Sequence, residues 1–303
     1  MSRPARLSPV RDLLLAATFA AALCVVTYLV VVRTRLGQRF DNAALLGSLE
    51  QNPGARLKDI LFLGRISALS FALVLLAITA IGFVRRRRLL GIVVALAALL
   101  CAVGTDTIKN HVLTRPYLVA TDSLQAHNTF PSGHTAIAIG CAFALVVLSP
   151  PALRGLVAFL AGAYSWTVAA DVQTAGWHRP SDAIGAVLLC FAVICVAAAL
   201  LFRARPVSEG ATTTHLPAYV MLAIVWCGSL GVAVYNAVRV LHVLDHTADT
   251  ATLDHALLTH AYAFSVNLTV AIVVTALVAL LLLLGRYDLD AGPSAAVAAT
   301  TPD

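Results

Sequence analysis

The sequence predicts an all-α fold, a polytopic transmembrane helical bundle, and three observations predict it. Of the 303 residues 60% are hydrophobic and 12% charged, with a mean hydropathy of +0.87, well past the apolar share of an ordinary soluble domain. Apolar runs long enough to cross a bilayer recur from one end of the chain to the other. In lipid each run has to satisfy its own backbone hydrogen bonds, which selects helices.

Eight spans follow, near residues 12–32, 60–84, 89–108, 134–149, 153–171, 182–202, 217–238 and 263–285. The first follows Arg3, Arg6 and Arg11. It is longer than a signal-peptide core and has no convincing cleavage site after it, so it is expected to be retained. An even number of spans puts both termini on one side. Arg85 to Arg88, Arg154, Arg203, Arg205 and Arg286 share that side with the N-terminal arginines, which the positive-inside tendency makes cytoplasmic. Arg33, Arg35, Arg39 and Arg56 in the first outer loop pull the other way and are partly offset by Asp41, Glu50 and Asp59. The segments expected to face outward are 33–59, 109–133, 172–181 and 239–262.

The net charge of +6 does not point to nucleic acid: of the 21 basic residues all but Lys58 and Lys109 are arginines, and most flank apolar runs. They read as topology signals. The cysteines at 24, 101, 141, 190, 195 and 227 all lie inside apolar runs without metal-ligand spacing, as small core residues do. Beyond Asp288 the chain is rich in Ala, Thr and Pro, the composition of a disordered tail. There is no internal repeat and no second soluble domain.

Polar chemistry collects in three places that the spans bring to one membrane level. Lys109 ends span three, with Arg115-Pro116 following; "FPSGHTA" opens span four with Pro131, Ser132, Gly133 and His134; "AGWHRPSDAIG" opens span six with His178 and Asp182. A helix N-terminus presents free N–H groups and a positive dipole end, so Ser132, Gly133 and His134 form a phosphate cradle. Lys109 adds charge, and Arg115 adds a planar fork suited to phosphoryl oxygens. His178 and Asp182 are four apart, with Pro180 placed for a first helical turn. An Asp that accepts the Nδ1 hydrogen fixes the tautomer and frees Nε2 for attack. His134 is then the general acid for the leaving oxygen.

Taken together, Lys109 with Arg115-Pro116, the run Pro131-Ser132-Gly133-His134, and His178 with Asp182 resemble the three signature motifs of the type-2 phosphatidic acid phosphatase superfamily, which shares its site with vanadium haloperoxidases. The resemblance spans roughly residues 55–205. It implies a six-helix phosphatase core with two further C-terminal spans, divided as a core over 1–205, a transmembrane hairpin over 206–287 and a tail over 288–303. It also implies a phosphohistidine on His178, oriented by Asp182, with His134 as leaving-group acid and Lys109, Arg115, Ser132 and the Gly133 amide on the phosphate. No metal or other cofactor is required. The expected partners are membrane lipids and a lipid phosphate or polyprenyl diphosphate substrate. Abundant Ala, Val and Arg with scarce Lys suits a GC-rich bacterial genome, so the expected location is a bacterial cytoplasmic membrane with the site on its outer face.

Two departures from the family pattern stand out. Five residues, Asn110 to Thr114, separate Lys109 from Arg115 where the family has six. In a helix that rotates the arginine by about 100°; in a loop it is absorbed. The third motif lacks its leading Ser-Arg, replaced by Asp171 and Val172. Arg179, beside His178, and Arg65, near the outer end of span two, are the candidate replacements, while Asp171 is a candidate partner for Lys109 or Arg115. His111 and His127 read as loop residues, and His242 and His246 with Asp245 and Asp249 as a solvated acidic loop rather than a zinc site. The same residues also fit two other functions: phosphoryl or headgroup transfer to a lipid acceptor, and a non-catalytic membrane protein or transporter that keeps an anion pocket.

Overall fold

The computed structural model describes residues 9–50, 53–119, 127–204, 208–209, 216–246, 254–285 and 287–288. Within them the chain is a helical bundle: α1 (Pro9–Thr27), α2 (Arg35–Leu49), α3 (Pro53–Leu63), α4 (Ala68–Val84), α5 (Arg88–Thr107), α6 (Gly133–Leu148), α7 (Pro151–Thr174), α8 (Pro180–Ala204), α9 (Leu216–His246) and α10 (His255–Leu284). The first and fifth end in π-turns, Tyr28–Val32 and Ile108–Val112. A two-residue pairing of β1 (Ser208–Glu209) with β2 (Tyr287–Asp288) is the only strand structure among the described residues. The expected tail after Asp288 lies outside them.

Helices α1, α5, α7, α8, α9 and α10 are each long and apolar enough to cross a membrane. Helices α3 and α4 together make a seventh passage bent by 55°, and α6 is a shorter apolar helix of 16 residues. The molecule is a multi-pass membrane protein. Helices α6 and α8 are buried nearly all round. Against them pack α1, α5, α7 and α10. Their contacts are rich in Ala, with Gly140 of α6 and Gly185 of α8 buried as well, small residues that let membrane helices approach closely.

Two segments read as outer loops are largely helical. Residues 33–59 form α2 and half of α3. The polar residues Gln38, Asp41, Asn42 and Ser48 of α2 look like loop composition but are buried, because they face other polar groups rather than water. In the 239–262 segment, α9 continues to His246 and α10 begins at His255. The side chains of His242, Asp245, His246 and Asp249 lie outside the described residues. Arg65 is not inside a continuous span: it stands, exposed, at the break between α3 and α4. Arg154 is more than a topology signal, since it is 1% exposed and donates to the carbonyls of Leu284, Tyr287 and Ser149. Arg85 likewise donates to the Leu148 carbonyl. Both cations thus sit where helix carbonyls and the negative dipole end welcome them.

Candidate active site

Helix α7 ends in a way that delivers His178. Gly176 adopts φ 73°, a left-handed conformation natural to glycine. Its amide donates to the Gln173 carbonyl, and that of Trp177 to the Val172 carbonyl, the two bonds of a Schellman stop. Val172 also accepts from the His178 amide at 3.0 Å. Arg56 Nε donates to the Ala175 carbonyl at 3.2 Å, so this residue, read as an outer-loop arginine, braces the same turn. Where the family motif has its arginine, the Val172 side chain is fully buried among Leu63, Ala138, Val168 and Ala175. No guanidinium reaches the site from that position.

Pro180 then opens α8, and Asp182 in its first turn reaches back. Its Oδ2 lies 3.2 Å from His178 Nδ1 and accepts from the Arg179 amide at 2.9 Å. The carboxylate therefore secures the helix start and the imidazole at once. Asp182 is fully buried, and its Oδ1 has no hydrogen-bond partner among the described residues. His178 is 11% exposed at the side chain, so one edge of its ring is open.

Ser132 is the N-cap of α6. Its hydroxyl oxygen accepts from the Thr135 amide at 3.4 Å and from the Thr135 hydroxyl at 3.1 Å, and its carbonyl accepts from the Ala136 amide. The Ser132 amide donates to the Asp182 carbonyl at 2.9 Å, which ties the heads of α6 and α8 together. The next two amides, of Gly133 and His134, find no acceptor among the described residues. A Cβ added to Gly133 would meet nothing within 4 Å, so space for an anion lies in front of them. The His134 ring packs beside Trp177, 5.3 Å between centroids, within electrostatic reach of both His178 and Lys109.

The shortened spacing after Lys109 is absorbed by backbone. Lys109 sits in the π-turn Ile108–Val112, closed by the Leu113 amide on the Ile108 carbonyl. From Leu113 the chain is extended and carries Arg115 away from the helix. Asn128 holds this stretch, donating to the carbonyls of Lys109 and Leu113 at 2.9 and 3.1 Å. Lys109 pairs with Asp106 at 3.3 Å. Arg115 directs both terminal nitrogens at Asp41 Oδ2, each at 3.2 Å. Asp171 therefore partners neither cation; its electrostatic neighbour is Asp59.

The residues that sequence reasoning missed lie on the π-turn after α1 and on α2. Tyr28 donates its hydroxyl to the Thr114 carbonyl at 2.6 Å, and Gln38 grips the Pro116 carbonyl and the Leu118 amide. Asp41, fully buried, accepts from the Ser181 hydroxyl at 2.6 Å as well as from Arg115. Asn42 Oδ1 accepts from Arg179 Nε at 3.1 Å, and Arg179 also donates to the Thr129 hydroxyl at 3.5 Å. Burial pushes the Asp41 carboxyl above its ordinary range, and the Arg115 guanidinium opposes that. Burial and the nearby Arg115 push Arg179 below its ordinary value, with Asp182 and Asp41 opposing. The available signal was the spacing of Gln38, Asp41 and Asn42, three and four apart and followed by small apolar residues, as on one face of a helix. Among the described residues, no group of three or more His, Cys, Asp or Glu is arranged to hold a metal ion.

Beside the site, an apolar groove of about 500 Å³ opens between the α3–α4 bend and helices α6 and α7. Arg65, Ile66, Ile137, Cys141 and Tyr164 are among its lining residues. Ala138, one helical turn below His134, both lines it and joins the cluster on which Trp177 packs.

Residues 88–206 match the sequence model of the PAP2 superfamily, the family its motifs resemble. No curated protein matches the chain. Among solved structures it is similar to the crystal structure of a transmembrane PAP2 type phosphatidylglycerolphosphate phosphatase from Bacillus subtilis. The identity is 18% and the TM-score 0.47, over 66% of this chain and 98% of that one. Residues 88–206 contain all three polar motifs in the order Lys109, Ser132 to His134, His178 to Asp182.

Proposed function

We propose that the protein is a membrane-embedded phosphatase that removes a terminal phosphate from a lipid phosphate or polyprenyl diphosphate through a phosphohistidine at His178. The observation that carries this reading is the pairing of His178 Nδ1 with the buried Asp182, on a helix head bonded to the N-terminus of α6. An imidazole whose Nδ1 hydrogen is held by a carboxylate presents the Nε2 lone pair. Its attack on phosphorus forms an N–P bond as the P–O bond to the lipid breaks, and His134 gives its proton to the departing oxygen. His134 then takes a proton from water, whose oxygen displaces His178 and releases inorganic phosphate. Lys109, the Gly133 amide and the Ser132 helix terminus stabilise the phosphoryl charge. Arg115 acts beside them, and Arg179 supplies the cation that Val172 does not.

The groove beside α6 favours a substrate with a hydrocarbon tail, because a chain laid in it runs from lipid toward His134. The arginines near the opposite helix ends, Arg85 to Arg88 and Arg154, favour placing that end in the cytoplasm and the site on the outer face of a bacterial cytoplasmic membrane. In this reading residues 1–205 form the catalytic core and 206–287 an accessory hairpin, and hydrolysis needs no metal. The test is phosphate release by purified protein in detergent from diacylglycerol phosphate and from prenyl diphosphate, with and without a chelator. Release that is lost in His178→Ala and unchanged by chelator is expected. Activity that survives in His178→Ala removes the proposed nucleophile, and transfer to an added alcohol without hydrolysis makes the protein a transferase.

A further inference from the structure

The passage formed by α3 and α4 is interrupted at residues 64–67, and Arg65 and Ile66 of that interruption line the apolar groove. Irregular backbone in a membrane passage is tolerated where it lines a cavity, so the break and the groove are one feature. Among the lining residues Arg65 alone is charged. Its side chain makes no hydrogen bond or ion pair among the described residues, whereas Arg56, Arg115 and Arg179 all have partners. A cation in apolar surroundings without a counter-charge is costly and marks a site of function. The break also lies against the reacting residues. Leu63 and Ile66 pack in the cluster that holds Ala138 and Trp177. Trp177 precedes His178, and its ring lies 5.3 Å from that of His134. Ile137 and Ala138 of the groove follow His134 on α6, at most about 6 Å along the helix axis. A substrate with its terminal phosphate at the head of α6 and its chain in the groove therefore passes Arg65 with the segment just behind the scissile bond.

We propose that Arg65 is a specificity-determining residue that selects a long-chain diphosphate over a lipid with a single phosphate, by pairing with the phosphate on the chain side of the scissile bond. The inference deepens the phosphatase reading and rests on it for the reaction. In a diphosphate, attack by His178 Nε2 on the terminal phosphorus breaks its bond to the bridging oxygen. That oxygen keeps the bonding electrons and stays with the chain-side phosphate, whose negative charge grows as the bond opens. The Arg65 guanidinium, with its donors in a planar fork, meets that charge with charge-assisted hydrogen bonds. A diacylglycerol phosphate has uncharged ester-linked carbons at the same place and leaves the arginine without a partner. Charge complementarity at the groove thus separates the two substrates.

The experiment measures binding first, by calorimetry of the full-length protein in detergent. The probes are two non-hydrolysable ligands of equal chain length, a chain monophosphonate and a chain methylene-diphosphonate. Wild type is expected to bind the diphosphonate about tenfold more tightly. Arg65→Ala should reduce that preference about fivefold, the upper scale of a partly exposed ion pair, at unchanged Tm. Arg65→Lys, which keeps the charge, should restore most of it. An arginine that serves only bilayer headgroups predicts the same preference with and without its side chain. A preference in Arg65→Ala within twofold of wild type overturns the proposal, as does a wild type that binds both probes equally or neither. Should Arg65→Ala fail to fold, Arg65→Gln decides by the same criterion. Turnover is the second arm: kcat/KM for a prenyl diphosphate relative to the prenyl monophosphate should follow the binding preference, with the change carried by KM. Wild type that prefers the diphosphonate through Arg65 but hydrolyses neither substrate sinks the phosphatase reading alone.

Discussion

The Ser132 amide donates to the Asp182 carbonyl at 2.9 Å, joining the end of α6 that would face phosphate to the carboxylate that holds His178. Because this bond is between backbone groups, a change of side chain at Asp182 leaves it in place. Asp182→Asn should therefore keep the helix heads together while replacing the charged acceptor of the Nδ1 hydrogen. A wrong or unheld tautomer in such a pair costs on the order of 10³–10⁴ in kcat. We expect a loss of about that size with KM changed only severalfold, measured as steady-state phosphate release.

The Arg115–Asp41 pair makes a prediction about stability. Removing one member of a buried pair leaves an uncompensated charge and costs about 3–5 kcal/mol. Arg115→Ala should lower Tm strongly, whereas Arg115→Gln with Asp41→Asn, which leaves no charge behind, should be less destabilised than Arg115→Ala alone. Thermal unfolding of wild type, Arg115→Gln, Asp41→Asn and their double variant closes the cycle. Equal Tm values for Arg115→Ala and wild type are incompatible with the pair.

Of the two candidates for the missing arginine, Arg179 adjoins His178 and is buried between Asn42 and Thr129, while Arg65 is exposed at a helix break. Arg179→Ala should lower kcat/KM about 100-fold, the scale of one lost charge-stabilising group, and Arg65→Ala only severalfold. The control is Arg88→Ala, whose guanidinium stacks on Phe83 at the far end of the bundle. Arg56 is unsuitable as a control because it braces the Ala175 carbonyl beside His178.

The bundle and the three polar motifs were legible in the sequence because the relevant signals are local: long apolar runs, a Pro-Ser-Gly helix start, and a His and Asp one helical turn apart. Helix α2 was not legible, because its buried polar residues carry the same letters as a solvated loop. Beyond the spacing of Gln38, Asp41 and Asn42, only the tertiary partners of Asp41 and Asn42 distinguish the two. The one-residue deletion after Lys109 was legible as an oddity, but its resolution by a π-turn and an extended segment depends on Asn128 and Gln38, both distant in sequence. The carbonyl-capping contacts of Arg154 were not legible for a related reason: an arginine between spans has the same letter whether it faces lipid headgroups or caps helix carbonyls.

If the groove beside α6 seats a substrate tail, filling it should discriminate by chain length. Ala161 lines it and is only partly buried, so Ala161→Trp adds bulk there with little disturbance of the core. The ratio of kcat/KM for a long-chain to a short-chain lipid phosphate should fall at least tenfold. Ala223→Trp, in the separate apolar groove between α9 and α10, should leave that ratio unchanged. Equal ratios in both variants place the tail elsewhere.

Helix α10 bears on the anion site through α2. Helix α10 packs along α2, with Ala43 and Ala44 against Leu258 and Ala261, and Phe40 edge-on to Phe264 at 5.1 Å. At the closest approach Gly47 faces the Leu258 backbone, and a Cβ there would run into the Leu258 carbonyl. Backbone cannot rotate aside as a side chain can, so Gly47→Val has to push the helices apart, a strain of about 1–3 kcal/mol. Since α2 carries Asp41 and Asn42, the displacement should reach Arg115 and Arg179 even though Gly47 touches neither. We expect Gly47→Val to lower Tm and to weaken phosphate affinity together. Gly228→Val, on α9 with nothing within 4 Å of its added Cβ, should change neither. A Gly47→Val protein that loses stability yet binds phosphate as tightly as wild type would show that the hairpin supports folding and not the anion site.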